Sequence, residues 1–490
     1  MKSKKLYKTN ENVKEIGHVF SYYNGVAKVK GLPNVFLNEV LLNDTGESVA
    51  LVIGFDNIYV ETLFFDENYD SNKPLYRSNQ IFSIPISKNY LGRVVDGLGR
   101  SKDDLGNIQG ELKNVYSQAP NIINREPVFN PINTGIKTID VNLPIGRGQR
   151  ELIIGDKKLG KSTLALDIVL NQKESDKPVY CVYVLCGQKK RFLEELLTHI
   201  KQNQSNLYTV VVAATAEDSL LSQYMAPFVG CTIAEYFRDT GNDALIVYDD
   251  LSKHAKVYRT ISLLLERSPG REAYPGDIFY LHAGLLERSC KLSKKLGGGS
   301  LTALPIIQTE EGDITSFIPT NLISITDGQI YLERGLFQKG FLPAVNVGLS
   351  VSRVGSKVQP KLLKKVTGGL RLSLAQHKQL QKLVQLETNV STDTAKKIYR
   401  GELITELLKQ DKNTNVTWPE QVVLFYMVEN GFFDDLEKEK WGEFEHFLLR
   451  LINGRYKQVL ISISKEVWDT STEEQINNIA QDFKQEFLSS

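Results

Sequence analysis

Apolar positions change their spacing twice along this chain. Over residues 16–85 they come in short strand-type runs, "HVFSYYNGVAKVKGLPNVF", "VALVIGF", "IYVETLFF" and "QIFSIPI", separated by turn residues. Asn24-Gly25 falls between two such runs, and both residues tolerate the positive φ of a tight hairpin. Several short strands at close spacing predict a small β-barrel, with the charged loop "DENYDSNKP" as a surface excursion. From 86 to 359, runs such as "RELIIG", "PVYCVYVLCG", "TVVVAAT", "ALIVYDD" and "LTALPIIQT" alternate with helical stretches such as "KSTLALDIVLNQK" and "KRFLEELLTHIKQN". Continuous apolar runs belong to strands buried on both faces, so this region predicts an α/β domain with a helix-covered parallel sheet. From 360 to 490, "LLKKVTGGLRLSLAQHKQLQKLVQ", "QVVLFYMVENGFFDDL" and "FEHFLLRLINGRYKQVLISISKEVW" carry apolar residues at helical spacing and predict a helical bundle. Residues 1–15 are left as an N-terminal tail. The expected fold is multidomain: β-barrel, central α/β P-loop domain of the RecA-like kind, C-terminal α-helical bundle.

Composition adds exclusions. A chain of 490 residues is too long for one ordinary core, in keeping with three domains. Its 59 Lys+Arg against 58 Asp+Glu lack the basic excess of a nucleic-acid binder, and no aromatic-basic patch stands out, so no nucleic-acid partner is expected. Cys181, Cys186, Cys231 and Cys290 form no C-x-x-C pair and read as reduced core thiols. The six histidines show no ligand spacing, which argues against a metal site built from side chains alone. No apolar run reaches the ~20 residues of a membrane span. The basic start "MKSKKLYKTNENVKEIG" has no apolar segment behind it, so a cytoplasmic chain without direct membrane insertion is expected.

The chemistry is concentrated in "ELIIGDKKLGKST". Gly155, Asp156, Lys157, Lys158, Leu159, Gly160, Lys161 and Ser162 form G-x-x-x-x-G-K-[ST], with Thr163 next, after a strand and at the start of a helix. Glycines let backbone N–H groups approach phosphate oxygens, and Lys161 brings a charge to the β- and γ-phosphates. Ser162 is placed for Mg²⁺, and the helix turns its positive end toward the same anion. "ALIVYDD" brings Asp249 to a strand end, where a carboxylate can hold water on Mg²⁺. An ordinary strand-end aspartate capping a helix is the bland alternative for Asp249. The expected cofactors are ATP or ADP with Mg²⁺, and the expected metal-binding residues are Ser162 and Asp249.

One position breaks the pattern. "VYVLCGQKKRF" ends a strand with Gln188, where hydrolysis would call for a water-polarising carboxylate. An amide cannot take a proton at neutral pH. The expected site can bind ATP·Mg²⁺ and still hydrolyse it slowly; the alternative is a glutamine that orients water, which also needs an arginine finger.

The strings "GRGQRELIIGDKKLGKS", "YDDLSK", "SPGREAYPGDIFYLHAGLLER", "IPTNLISITDGQIYLE" and "PAVNVGLSVSRVGS" closely resemble the α subunits of F-type ATP synthases, from about residue 16 to 485. The related catalytic β subunit has Glu where Gln188 stands. The resemblance implies a ring of three α-type and three catalytic β-type subunits around a central γ-type shaft. It also implies stalk or membrane subunits that place the ring on the cytoplasmic face of the cell membrane. It implies a non-catalytic nucleotide site on this chain and an arginine finger, Arg353, given to the neighbouring catalytic site; a surface or salt-bridged arginine is the alternative. Phe337, Pro343 and Gln410 match positions at the adenine end.

Departures from the family pattern are Lys158, Leu342 and Lys412, where Gln, Arg and a second Gln are usual. A further departure is the N-terminus, which lacks the usual amphipathic stripe. That tail leaves open an F-type-like motor uncoupled from proton transport, of the kind linked to gliding motility in mycoplasma-type bacteria. A self-sufficient hexameric ring ATPase predicts Glu at 188, and a nucleotide-free scaffold predicts a broken P-loop.

Overall fold

The computed structural model describes residues 15–174, 177–384, 392–432 and 436–489. The tail expectation for residues 1–14 lies outside them. Six strands, β1 (Ile16–Tyr23), β2 (Val26–Lys30), β3 (Glu39–Leu42), β4 (Ser48–Phe55), β5 (Val60–Phe64) and β6 (Leu75–Ile81), close a barrel in the order β1-β2-β5-β4-β3-β6. Asn24 and Gly25, both at positive φ, turn β1 into β2 as the Asn-Gly signal requires. Val29, Leu41, Ala50, Val52, Phe64 and Leu75 fill the interior. "QIFSIPI", read as one strand, is two. Asn79 turns through φ +57°, β6 ends at Ile81, and β7 (Ser83–Ile86) leaves the barrel to pair with β9 (Glu111–Asn114).

The central region adds β8 (Val94–Val95), β9 (Glu111–Asn114), β10 (Pro131–Ile132), β11 (Ile145–Gly146), β12 (Leu152–Asp156), β13 (Val179–Gln188), β14 (Thr209–Thr215), β15 (Asp243–Asp249), β16 (Ser300–Thr309), β17 (Gly328–Leu332) and β18 (Val351–Ser352). Eight of them form one sheet in the order β18-β17-β12-β16-β15-β13-β14-β8. Every pairing is parallel except β18 with β17. The helices here are α1 (Lys137–Asn142), α2 (Lys161–Leu170), α3 (Lys190–Gln202), α4 (Leu220–Asp239), α5 (Leu251–Leu264), α6 (Ile278–Leu286), α7 (Phe317–Ile325) and α8 (Arg334–Gln338). Side chains of β13 alternate between two cores. Val182, Val184 and Cys186 pack with α4, α5 and α6; Cys181, Tyr183 and Leu185 pack with α2 and α3. This two-sided burial is the physical reason for the continuous apolar runs. All four cysteines are free and buried.

The C-terminal helices are α9 (Lys361–Thr367), α10 (Leu370–Val384), α11 (Thr392–Leu407), α12 (Trp418–Glu429), α13 (Trp441–Gly454), α14 (Lys457–Ser464) and α15 (Thr470–Ser489). They share one core, in which Phe444 meets Phe483 edge-on at 4.2 Å between ring centres. A capping box of Thr417 and Glu420 starts α12. Lys137, buried on α1, pairs with Glu445 on α13 and ties this bundle to the sheet domain. Among the described residues no helix is long and apolar enough to cross a membrane.

Candidate functional site: a phosphate cradle at the carboxyl end of the sheet

In open α/β sheets ligands bind beyond the carboxyl ends of the strands. β12 delivers the loop 156–160 there, and β13, β15 and β16 end beside it. Glycine is required at both fixed positions, for different reasons. A Cβ on Gly155 would stand 2.6 Å from the Leu332 carbonyl oxygen on β17. Gly160 turns into α2 at φ +88°, and the space its missing side chain leaves is open. Lys158 holds a left-handed conformation at φ +66° without being glycine, a conformation that stores strain and clusters at ligand sites.

The side chains of the loop divide in two. Leu159 is buried in the core, so only its backbone faces the cradle. Asp156 also turns inward: its carboxylate accepts from the Thr309 hydroxyl and the Gly312 N–H, each at 2.7 Å, and meets Arg334 at 3.3 Å. Lys157, Lys158 and Thr163 are exposed. Lys161 is buried and donates to the carbonyls of Gly155 and Asp156 at 2.8 and 2.6 Å. Burial pulls its ammonium down to about 8 against the opposing charges of Asp250, Asp249 and Asp156.

Asp249 ends β15 fully buried. It accepts from Ser162, from the Tyr183 hydroxyl at 2.9 Å and from the Gln188 amide at 2.6 Å. Burial raises its pKa; the three donors oppose that shift. Gln188 is held at both ends, since its carbonyl oxygen accepts from Lys253 on α5. The amide therefore has a structural reason: it donates to a buried carboxylate. A glutamate at 188 would set a second negative charge against Asp249. Asp250 caps α5 by accepting from the Lys253 N–H at 2.7 Å, and also accepts from Gln308 at 2.7 Å.

Ser162 and Asp249 offer a hydroxyl and a carboxylate, hard oxygens of the kind Mg²⁺ takes while keeping several waters. No cluster of three His, Cys, Asp or Glu side chains exists among the described residues to hold a metal outright. With open space before Gly160 and Lys161 held inward, the residues fit a triphosphate with one divalent cation.

Phe337, Pro343 and Gln410 lie on segments that meet. The Gln410 N–H donates to the Leu342 carbonyl at 2.7 Å, and Phe337 is partly exposed at the end of α8. The Gln410 amide is engaged with the backbone: it accepts from Lys137 N–H and donates to Gly135 and Thr414. The Asn413 N–H reaches Asp167 on α2 at 3.4 Å, so this loop also touches the helix that carries Lys161.

Arg353 is not in the cradle. β18 runs antiparallel to β17, with Ser352 opposite Gly328, so Arg353 follows at the amino end of the sheet. It lies about five strand residues, roughly 16 Å, below the loop after β12. It is exposed, and its N–H donates to the Asp327 carbonyl at 2.9 Å.

Tyr183, Lys253 and Gln308 escaped the sequence reading. Tyr183 lies inside an apolar strand and reads as core, and Lys253 and Gln308 become site residues only through sheet order. Asp250 was not singled out either, although it is the second residue of "YDD".

This cradle at the carboxyl edge of a parallel sheet, between barrel and helical bundle, defines a P-loop nucleotide-binding protein. Residues 135–352 match the nucleotide-binding domain of the ATP synthase alpha/beta family, and 359–483 match that family's C-terminal domain. The chain is 46% identical over 487 residues to the ATP synthase subunit alpha of Aquifex aeolicus, covering 99% of this chain and 96% of that one. It is 43% identical over 473 residues to the ATP synthase subunit alpha of Petrotoga mobilis, covering 95% and 93%. The chain belongs to the ATP synthase alpha/beta family, as an α subunit of a rotary F-type ATPase. These likenesses do not favour the dedicated motor, the self-sufficient ring or the scaffold.

Proposed function

We propose that this chain holds Mg·ATP without cleaving it and serves the catalytic site of a neighbouring β-type subunit in a three-plus-three ring around a γ-type shaft. The observation that carries this is the Gln188 amide, fixed between Asp249 and Lys253 where a proton acceptor would be needed. Lys161 and the backbone of 156–160 bind the phosphates; Ser162 and Asp249 would hold Mg²⁺. Mg²⁺, when bound, would neutralise phosphate charge. Phe337 and Pro343 pack on the base. Arg353, at the far end of the sheet from its own cradle, serves in trans. The ring would sit on the cytoplasmic face of a membrane through stalk or membrane subunits.

Calorimetric titration of the purified chain with Mg·ATP is expected to give one site, with affinity lowered at least about tenfold by EDTA. Binding that ignores the metal would remove Ser162 and Asp249 from the site. A phosphate favours the charged form of Lys161 and so raises its pKa on binding. Binding then takes up a proton, and affinity is expected to fall as pH rises above about 8, by up to about tenfold per unit. Titrations at increasing pH check this, and Lys161→Met should bind weakly at every pH with that slope gone.

A further inference from the structure

Beneath Arg353 lies a carboxylate that nucleotide binding does not use. Glu151, one residue before β12, is 0% exposed. Its N–H pairs with the Ala303 carbonyl at 2.9 Å, which fixes its backbone to β16. One carboxylate oxygen accepts from the Gln149 amide at 2.6 Å; the other is buried with no hydrogen-bond partner among the described residues. Leaving a buried carboxylate oxygen unmet is destabilising, so such a group calls for a reason.

The surroundings supply one. Gln149 uses the same amide nitrogen to reach the Ser352 hydroxyl at 3.3 Å. Ser352 donates to the Pro144 carbonyl at 2.9 Å and accepts from the Gly355 N–H at 3.2 Å, so it anchors both sides of residue 353. The carboxylate also packs against the strand that pairs with β18. A Cβ on Gly328 would stand 2.6 and 2.9 Å from its oxygens and 2.2 Å from the Val351 carbonyl. Two charges from neighbouring segments act on it. Asp327, before β17, is bound by Arg150 at 2.7 Å and opposes its ionisation; Arg353, after β18, favours it. Burial pushes the Glu151 carboxyl well above the usual carboxylate range, and the charge on Arg353 works against that shift.

We propose that Glu151 is a positioning residue for Arg353: its carboxyl fixes Gln149 against Ser352, and Ser352 anchors the short segment that carries the guanidinium. The inference rests on the reading of Arg353 as a group given in trans. Glu151 touches no reacting atom. It acts through the short strand that leads into Arg353.

The test is a double-mutant cycle in the ring assembled with its catalytic partner, read by single-turnover and steady-state ATP hydrolysis. Glu151→Gln keeps the shape and puts an amide in place of the carboxyl that accepts from Gln149. It is expected to lower kcat about tenfold, with KM for Mg·ATP, thermal unfolding and nucleotide binding by this chain's own site unchanged. Added to Arg353→Ala, it is expected to do nothing further. An unchanged kcat overturns the inference, and so does an equal loss in the Arg353→Ala background, which marks a general structural effect. If Arg353→Ala leaves kcat untouched, the trans reading itself falls; if only Glu151→Gln is silent, that reading stands alone. Should Glu151→Gln fail to assemble, Ser352→Ala breaks the same chain with one hydroxyl. A loss of about threefold, absent without Arg353, supports the inference, and wild-type turnover contradicts it.

Discussion

Arg353→Ala is expected to leave the ring assembled and its ATPase lower by a factor of about 10³–10⁵, the range seen when an arginine finger is lost. The asymmetry between a small structural effect and a large kinetic one follows from where the residue sits. Its backbone is pinned by the Asp327 carbonyl, and its side chain is exposed, with no ion pair among the described residues. Removing such a side chain changes stability by about 0.5 kcal/mol or less. What is lost is a planar cation that meets charge developing on a γ-phosphate, an interaction made only in the transition state. KM for Mg·ATP should therefore move little while kcat falls. Arg353→Lys should recover only part of the loss, because an ammonium lacks the guanidinium's fork of donors. Turnover of the reconstituted ring, beside its elution volume in gel filtration, checks both halves.

How much of this was legible in the sequence varied by element. The P-loop reads directly because its demands are local: Gly160 must take positive φ, and Gly155 must lie against the Leu332 carbonyl. The parallel sheet was legible too, since burial on both faces forces unbroken apolar runs such as that of β13. Strand order was not, and with it went the partners of Gln188. Lys253 is 65 residues away along the chain, and nothing in the spacing joins the two. The split of "QIFSIPI" was hidden because one apolar run served two sheets in succession. Asp156 was read only as a member of the phosphate-binding loop. Its carboxylate ties the loop to Thr309 and Gly312, contacts that only the sheet brings within reach.

The second large effect concerns Gln188. An amide cannot accept the proton of an attacking water, and here both its ends are taken. Nor should Gln188→Glu convert this chain into an enzyme. That change removes the donor to buried Asp249 and brings two carboxylates together, so one of them must carry a proton. A loss of about 1–3 kcal/mol in stability, seen as a lower Tm without nucleotide, is expected, with no gain in turnover.

The central claim is that this protein grips a nucleotide and leaves its cleavage to a neighbour. It is tested most directly by phosphate release from the purified chain alone, at saturating Mg·ATP, with bound nucleotide counted in the same sample. Near-stoichiometric binding with no steady release above background, and brisk release once the catalytic partner is added, is the predicted result. Sustained turnover by the lone chain would contradict the account.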